Sequence, residues 1–424
     1  MHADSAVRAR RYALGLLVVV YTFNFVDRQI LAILLPAIQA EFGVGDTVLG
    51  FLAGTAFALF YATLGVPIAL LADRWNRRNL IAISLALWSG MTALSGAAAN
   101  VLQLALARIG VGIGEAGCSP AAHSMIADYY PPEQRSSAMG IYTLGISFGI
   151  MLAFFTGGWV VENLGWRQAF LIVGLPGIVL ALLFRFTVKE PKRGLSEQRS
   201  DSGTHPGILE VARFLAARRS FLFISLGAAM ASFAGYAVTN FFPSFLIRSH
   251  GMTPTEIGIY LGLALGLAGG LGFAGGGFLA DRLARKGHDY ALLGVACAMA
   301  LATLLVATVF LADDRFVVMA VFAVAAVVSN LYLATTFAQT QGLVGLRMRG
   351  VASALMLFII NIVGLGLGPQ TAGIVSDLLR ESVGEQSMRY ALLIVAGGAY
   401  PLSGLCYFVA SRSIVTDLSR AAES

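Results

Sequence analysis

Charged residues are scarce in this chain. Asp, Glu, Lys and Arg together make up 12% of its 424 residues, whereas an average soluble domain carries about 25%. Hydrophobic residues make up 57%, and the mean hydropathy is +0.77. The core of a soluble domain does not explain this balance, so the composition predicts a chain that lies largely within a bilayer.

The chain has few lysines and cysteines, and it lacks common enzyme motifs. The three cysteines, Cys118, Cys297 and Cys406, lie in apolar segments without metal-site spacing, so we expect neither a disulfide framework nor a metal centre. Basic residues alternate with apolar runs instead of forming one patch, which argues against a nucleic-acid partner. No P-loop or Gly-x-Ser-x-Gly motif occurs. We therefore expect no enzymatic activity and no cofactor.

Twelve apolar stretches are each long enough to cross about 30 Å of hydrocarbon. They are residues 13–39, 47–72, 80–98, 101–127, 136–162, 167–186, 220–247, 256–280, 289–312, 316–340, 350–379 and 387–411. The chain also contains 48 glycines, and small residues allow helices to pack closely in lipid. The sequence thus predicts an all-α membrane protein with twelve transmembrane helices.

The positions of Lys and Arg predict how these helices are oriented. When both termini are placed on one side, 22 of the 29 Lys and Arg residues fall on that side, five fall on the other, and two are embedded. This asymmetry predicts cytoplasmic termini. The first apolar stretch is too long for a cleavable signal peptide. The Arg-rich composition and the lack of Asn-x-Ser/Thr sequons favour the inner membrane of a bacterial cell.

One long polar connection divides the predicted spans into two sets of six. It covers residues 189–219 and is rich in Arg, Lys, Ser and Gly. We interpret it as a cytoplasmic linker between an N-terminal six-helix bundle, residues 1–188, and a C-terminal six-helix bundle, residues 220–424.

A loop motif occurs once in each half. The sequence Ala-Leu-Leu-Ala-Asp-Arg-Trp-Asn-Arg-Arg at residues 69–78 returns as Gly-Phe-Leu-Ala-Asp-Arg-Leu-Ala-Arg-Lys at residues 277–286. Asp281 lies 208 residues after Asp73, which is close to half the chain length. This repeat favours two related halves, each with the motif after its second span.

Both copies resemble the signature of the major facilitator superfamily, Gly-x-Leu-Ala-Asp-Arg-x-Gly-Arg-Arg. The first copy has Ala69 and Asn76 at the two glycine positions, and the second has Ala284 at the later one. The resemblance implies two pseudo-symmetric six-helix bundles and a gating role for the loop charges, which pair with a neighbouring helix end. The gating residues are then Asp73, Arg74, Arg77, Arg78, Asp281, Arg282, Arg285 and Lys286.

A narrower resemblance lies in the first and fourth spans. The sequences Asn-Phe-Val-Asp-Arg at residues 24–28 and Gly-Ile-Gly-Glu-Ala at residues 112–116 are similar to the spinster branch of the superfamily. Gly117–Cys118 departs from the Ser-Tyr that is usual there. The resemblance implies a transporter of an amphipathic substrate, such as a lysolipid or a sphingoid-phosphate-like molecule, and we expect it to work by alternating access.

Four charged residues fall inside these two spans, namely Asp27, Arg28, Arg108 and Glu115. An unpaired charge near the centre of a spanning helix costs about 2.5–3.5 kcal/mol, so pairing or water access must offset it. In the family's fold both spans line the central cavity, which implies that the four groups meet. They form either a static ion-pair cluster or a proton site. We favour the second, with Asp27 and Glu115 coupling to protons and the two arginines serving as counter-ions or substrate ligands.

The second half carries no charges at the corresponding positions. We expect its neutral groups, Tyr236 and Asn240 among them, to contact the substrate. The sequence therefore predicts a monomeric, proton-coupled carrier of a small amphipathic molecule, embedded in a lipid bilayer. A proton-driven antiporter of drugs or small organic anions is the main alternative. An integral-membrane enzyme acting on lipids and a sensor that does not transport also remain open.

Overall fold

The described part of the protein is built from helices and contains no β-strand. The computed structural model describes residues 2–191, 207–345 and 348–423. The helices before residue 192 are α1 His2–Phe42, α2 Asp46–Gly50, α3 Ala56–Arg74, α4 Arg77–Ser95, α5 Val101–Glu115, α6 Cys118–Tyr129, α7 Pro132–Asn163 and α8 Trp166–Thr187.

The remaining helices follow the same all-α pattern. They are α9 Ile208–Ala216, α10 Arg219–His250, α11 Pro254–Leu261, α12 Gly269–Ala284, α13 His288–Leu311, α14 Arg315–Ser329, α15 Tyr332–Gly342, α16 Arg349–Ile359, α17 Gly368–Val383, α18 Ser387–Ser411 and α19 Ile414–Glu423. Short π-helical segments, Phe51–Thr55, Gly262–Ala268 and Ile360–Leu367, continue α2, α11 and α16.

Ten helical stretches among the described residues are long and apolar enough to cross a membrane. Nine of them coincide with single predicted spans, and the tenth, residues 349–411, contains the last two. Helix α4 occupies the third predicted span. It is less apolar than the others mainly because its first turn carries Arg77, Arg78 and Asn79. Its interior also holds Ser84, Ser89 and Thr92, which are all buried. The predicted all-α class and twelve-helix arrangement are confirmed.

Several helix ends follow from local capping chemistry. Asn76 accepts the backbone N–H of Asn79 at the start of α4, and Asn100 accepts that of Gln103 at the start of α5. An asparagine N-cap satisfies a backbone donor that has no partner within the helix. These caps fix where α4 and α5 begin.

The helices group into two compact units. Unit 1 consists of Met1–Gly43, Ala56–Ser202 and Thr253–Gly262, and unit 2 of Val44–Thr55, Gly203–Met252 and Leu263–Ser424. Each unit therefore includes one short segment from the opposite half of the sequence. The predicted boundaries at residues 188 and 219 stay a prediction.

Glycines bring the helices of unit 1 into close contact. A Cβ atom at Gly114 of α5 would lie 2.7 Å from the backbone nitrogen of Trp88 in α4. A Cβ atom at Gly112 would lie 2.6 Å from the carbonyl oxygen of Phe57 in α3. Real side chains do not approach this closely, so only glycine allows α5 to pack against both neighbours.

A buried ion pair ties α2 to its neighbours in unit 2. Asp46 is fully buried and accepts hydrogen bonds from Arg248 Nη1 at 2.7 Å and Nη2 at 2.6 Å. It also accepts one from Ser376 Oγ at 2.7 Å. Asp377 in turn accepts the backbone N–H groups of Asp46 and Thr47. This bidentate arginine–carboxylate pair holds α2 against α10 and α17.

Candidate substrate and proton site

Unit 1 brings the four predicted charged residues together in its interior. Asp27 and Arg28 lie in the middle of α1, and Arg108 and Glu115 lie on α5. Asp27, Arg108 and Glu115 are at most 1% exposed. We refer to these four residues as the charge cluster. Because α1 and α5 bring two arginines close to two carboxyl groups, opposite charges offset part of the cost of placing four ionisable groups within apolar helices.

Arg28 and Glu115 form the ion pair of this cluster. Arg28 Nε lies 2.5 Å from Glu115 Oε2. The guanidinium carbon of Arg28 also lies 4.4 Å from the ring centroid of Tyr61 and 5.2 Å from that of Phe57, both on α3. A cation over an aromatic ring is stabilised by the quadrupole of the ring. Arg28 is therefore held by a carboxylate and by two aromatic faces.

Asp27 differs from Glu115 because its carboxyl group has no ion-pair partner among the described residues. Both oxygens are buried without a hydrogen bond. Thr92 and Trp88 of α4 place side-chain donors close to this carboxyl group, but neither donor reaches hydrogen-bonding geometry. An isolated buried carboxylate is strongly disfavoured as an anion. This environment suits a carboxyl group that is neutral in this arrangement of the unit.

Arg108 is the other arginine of the charge cluster, and it forms no ion pair with the carboxyl group of Asp27 or of Glu115. Its Nη1 donates to the backbone carbonyl oxygen of Asp27 at 3.4 Å, and its guanidinium carbon lies 5.6 Å from the ring centroid of Phe57. Its Nε is buried without a partner in the described part of the chain. Arg108 thus keeps a donor that an anionic group could use.

Sequence reasoning missed the aromatic and polar residues that surround the charge cluster. Phe57 and Tyr61 are four residues apart on α3, and Trp88 and Thr92 are four residues apart on α4. Side chains at this spacing share one helix face. This i, i+4 spacing within two predicted spans was the signal that could have identified these four residues as neighbours of the charge cluster.

Tyr236 and Asn240 lie on α10 of unit 2, one helical turn apart. Asn240 is buried, and its Nδ2 donates to the backbone carbonyl oxygen of Tyr236 at 2.9 Å. The side-chain NH₂ group of Asn240 therefore already donates one hydrogen bond within α10. The predicted role of both residues in substrate contact stays a prediction.

Arg77, in the first copy of the loop motif, is the buried centre of a network of ion pairs and hydrogen bonds. Arg77 is 1% exposed and pairs with Asp128 and with Glu190, the latter at 2.8 Å. It also donates to Ser124 Oγ at 2.8 Å. Glu190 accepts the backbone N–H of Arg78 at 2.8 Å. This network joins the start of α4 to the end of α6 and to the segment after α8.

The second copy of the motif has a different environment. Asp281, Arg282, Arg285 and Lys286 are all exposed at the end of α12. The side chains of Asp73 and Arg74 in the first copy lie outside the described residues. The two copies share a sequence pattern but not a contact pattern, and the predicted gating role stays a prediction for both.

Metal-ligating groups do not converge anywhere in the described ranges. No set of three or more His, Cys, Asp or Glu side chains is placed to hold an ion there. Cys118 and Cys406 are buried, and Cys297 is exposed.

Comparisons with known proteins agree with this architecture. The Major Facilitator Superfamily profile matches residues 17–369. An MFS-type efflux pump of Mycolicibacterium smegmatis is 36% identical over 98% of this chain and 96% of the pump. The sphingosine-1-phosphate transporter SPNS2 of Xenopus tropicalis is 28% identical over 96% of this chain and 83% of that protein.

A solved structure extends the similarity to three dimensions. It is that of a bacterial homologue of the human lysosomal transporter spinster, in an inward-facing and unoccupied conformation. The two chains are 30% identical, with a TM-score of 0.86 over 96% of this chain and 98% of the other. This chain therefore belongs to the major facilitator superfamily, in which it is a bacterial spinster-like membrane transporter and not an enzyme.

Proposed function

We propose that this transporter couples the movement of a proton to that of an amphipathic organic anion, with Asp27 as the proton carrier. The substrate class is a lysolipid or a sphingoid phosphate. The observation that carries the proposal is the contrast between the two carboxyl groups. Glu115 is paired with Arg28 at 2.5 Å, whereas the carboxyl group of Asp27 is buried and accepts no hydrogen bond from the described residues.

The formal charge of the charge cluster explains how the two substrates are coupled. With both carboxyl groups ionised, two arginines balance two carboxylates and the cluster is neutral. When Asp27 gains a proton, the cluster carries one net positive charge. A unit charge about 6 Å from an anion at an effective dielectric constant of about 20 contributes roughly 3 kcal/mol, or about 100-fold in affinity. A proton on Asp27 therefore favours binding of the anion.

Arg108 is the residue that we assign to the anionic headgroup. Its Nε has no partner among the described residues, and a planar guanidinium group suits phosphate recognition. The name of the Xenopus tropicalis relative, a sphingosine-1-phosphate transporter, supports a phosphate-bearing substrate with an apolar chain. Tyr236 and Asn240 of α10 are proposed to contact other parts of that substrate.

Topology and assembly complete the proposal. Both termini face the cytoplasm of a bacterial cell, the protein resides in the inner membrane, and it works as a monomer by alternating access. The charges of the two loop motifs stabilise one of the alternating states.

Binding measured against pH tests the coupling directly. We expect sphingosine-1-phosphate to raise the melting temperature of the wild type more at pH 6 than at pH 8. A phosphate monoester itself titrates near pH 6, so Asp27→Asn is the matched comparison. We expect Asp27→Asn to bind sphingosine-1-phosphate tightly at both pH values. The pH dependence that remains in this variant is that of the phosphate group alone. An identical pH profile in both proteins would overturn the assignment.

A proton-driven antiporter of drugs or small organic anions is the second candidate. It is favoured by the 36% identity to an MFS-type efflux pump over nearly the whole chain. In an antiporter, proton and substrate compete for the same site, so acid weakens binding. The same pH series therefore separates the two candidates by the sign of the pH effect.

A further inference from the structure

Helix α9 is a short amphipathic helix that belongs to neither set of predicted spans. It runs from Ile208 to Ala216 and is separated from α10 by two residues. Val211 and Leu215, both fully buried, attach it to unit 2, where it packs against α10 and α16. One face of α9 therefore packs against the rest of unit 2.

A second face of α9 is apolar and exposed. Leu209 is 64% exposed and Ile208 is 43% exposed. With about 100° of rotation per residue, Ala212 and Ala216 fall on the same side as these two. Glu210 lies about 100° from Leu209 on the polar side. The helix therefore has three faces, one toward the protein, one apolar and one charged.

One arginine borders the apolar face, and two more follow α9 in the sequence. Arg213 is exposed and lies about 40° from Leu209 around the helix, and Arg219, also exposed, begins α10. The guanidinium carbon of Arg218 lies 4.2 Å from the ring centroid of Phe214, on the far side of the helix from Leu209. Within the described residues, no carboxylate forms an ion pair with Arg213, Arg218 or Arg219. An apolar face with arginine at its edge is typical of helices that lie in a membrane interface.

The position of α9 along the chain restricts what can cover its apolar face. Helix α10 is long and apolar enough to span the bilayer and begins at Arg219. Three steps of extended chain from Ala216 to Arg219 reach only about 10 Å. The end of α9 is therefore held within about 10 Å of the first turn of a spanning helix. The exposed side chains of Leu222 and Leu226 continue the apolar surface along α10, so lipid is the apolar medium nearest to α9.

We infer that α9 is an interfacial helix whose apolar face inserts between lipids, and that Arg213 and the two arginines after it bind anionic phospholipid headgroups. Arg213 lies between the apolar and charged faces, at headgroup level. This contact anchors unit 2 to one leaflet and makes the protein selective for anionic lipid. The inference requires only that α10 spans the bilayer, and it is independent of the proton site.

Site-specific labels test the insertion of α9. Because Cys118 and Cys406 are buried, C297A removes the one exposed thiol among the described cysteines. In this background, L209C and the matched control E210C are labelled with bimane in nanodiscs of 70% POPC and 30% POPG. We expect nitroxide-labelled lipid to quench L209C at least threefold more than E210C, and aqueous iodide to show the reverse order. Equal quenching at both positions would overturn the inference, and A216C gives a second probe of the apolar face.

Lipid selectivity tests the role of the arginines. Native mass spectrometry counts POPG and POPC bound to the purified protein, with R213Q compared against R315Q, an exposed arginine at the start of α14. We expect R213Q to lose at least half of the POPG preference and R315Q to keep it. An unchanged preference in R213Q, with L209C still quenched by lipid, would refute anionic selectivity and leave only apolar insertion.

Discussion

Replacing each carboxyl group of the charge cluster by its amide should change stability in different ways. Glu115→Gln removes the buried partner of Arg28, and breaking a buried ion pair from one side costs about 3–5 kcal/mol. The contact of Arg28 with the ring of Tyr61 is present in both proteins, so it does not change this difference. We therefore expect Glu115→Gln to lower the free energy of unfolding by about 3–5 kcal/mol.

Asp27→Asn should behave differently, because the carboxyl group of Asp27 has no ion pair with any described residue. A neutral amide of the same shape replaces a buried carboxyl group, so we expect a change within about 1 kcal/mol, with stabilisation as the favoured direction. Both variants are compared with Asp313→Asn. Asp313 is 90% exposed and pairs with Arg389 at the surface, so this control should cost less than about 1 kcal/mol.

Equilibrium unfolding in mixed micelles, followed by far-UV circular dichroism, measures these differences. A double-mutant cycle with Arg28→Gln and Glu115→Gln isolates the pair, for which we expect a coupling energy of at least about 2 kcal/mol. A loss in Asp27→Asn as large as that in Glu115→Gln would refute the reasoning, because it would mean that Asp27 is also held by a strong partner.

Three further substitutions, two of them with a matched control, test other parts of the structure in the same unfolding assay. Arg77→Gln should cost about 3–5 kcal/mol because two carboxylates lose their buried partner, whereas Arg285→Gln in the exposed motif copy should change stability by less than about 0.5 kcal/mol. Asp46→Asn should cost about 3 kcal/mol, since it weakens a bidentate pair; an effect below about 1 kcal/mol would contradict the role of that pair. Gly114→Ala should cost about 1–3 kcal/mol through overpacking, while Gly140→Ala, where nothing lies within 4 Å of the added Cβ, should be neutral or stabilising.

The sequence predicted the spanning helices well because each one is encoded locally by apolar length. It identified the four residues of the charge cluster because charges within such spans are costly and therefore conspicuous. It did not separate the roles of Asp27 and Glu115. That distinction depends on which side chain Arg28 reaches, and the partner lies 87 residues away on another helix.

Contacts between distant segments were also beyond sequence reasoning. Asp46 directly precedes the second predicted span and belongs to no recognised motif, yet it pairs with Arg248, 202 residues further along the chain. Likewise, two copies of one loop motif predicted similar roles, but Arg77 is buried and Arg285 is exposed. A repeated pattern specifies the type of side chain at each position, and the environment of that side chain depends on the neighbouring helices.

Substrate-driven proton movement in proteoliposomes tests the central claim, that Asp27 carries the transported proton. A gradient of sphingosine-1-phosphate is imposed, and a trapped pH-sensitive dye reports proton flux for wild type, Asp27→Asn and Glu115→Gln, each checked for substrate binding. The proposal predicts flux in the wild type, none in Asp27→Asn despite retained binding, and reduced flux in Glu115→Gln because Arg28 loses its counter-charge. Proton flux at the wild-type rate in Asp27→Asn would contradict it.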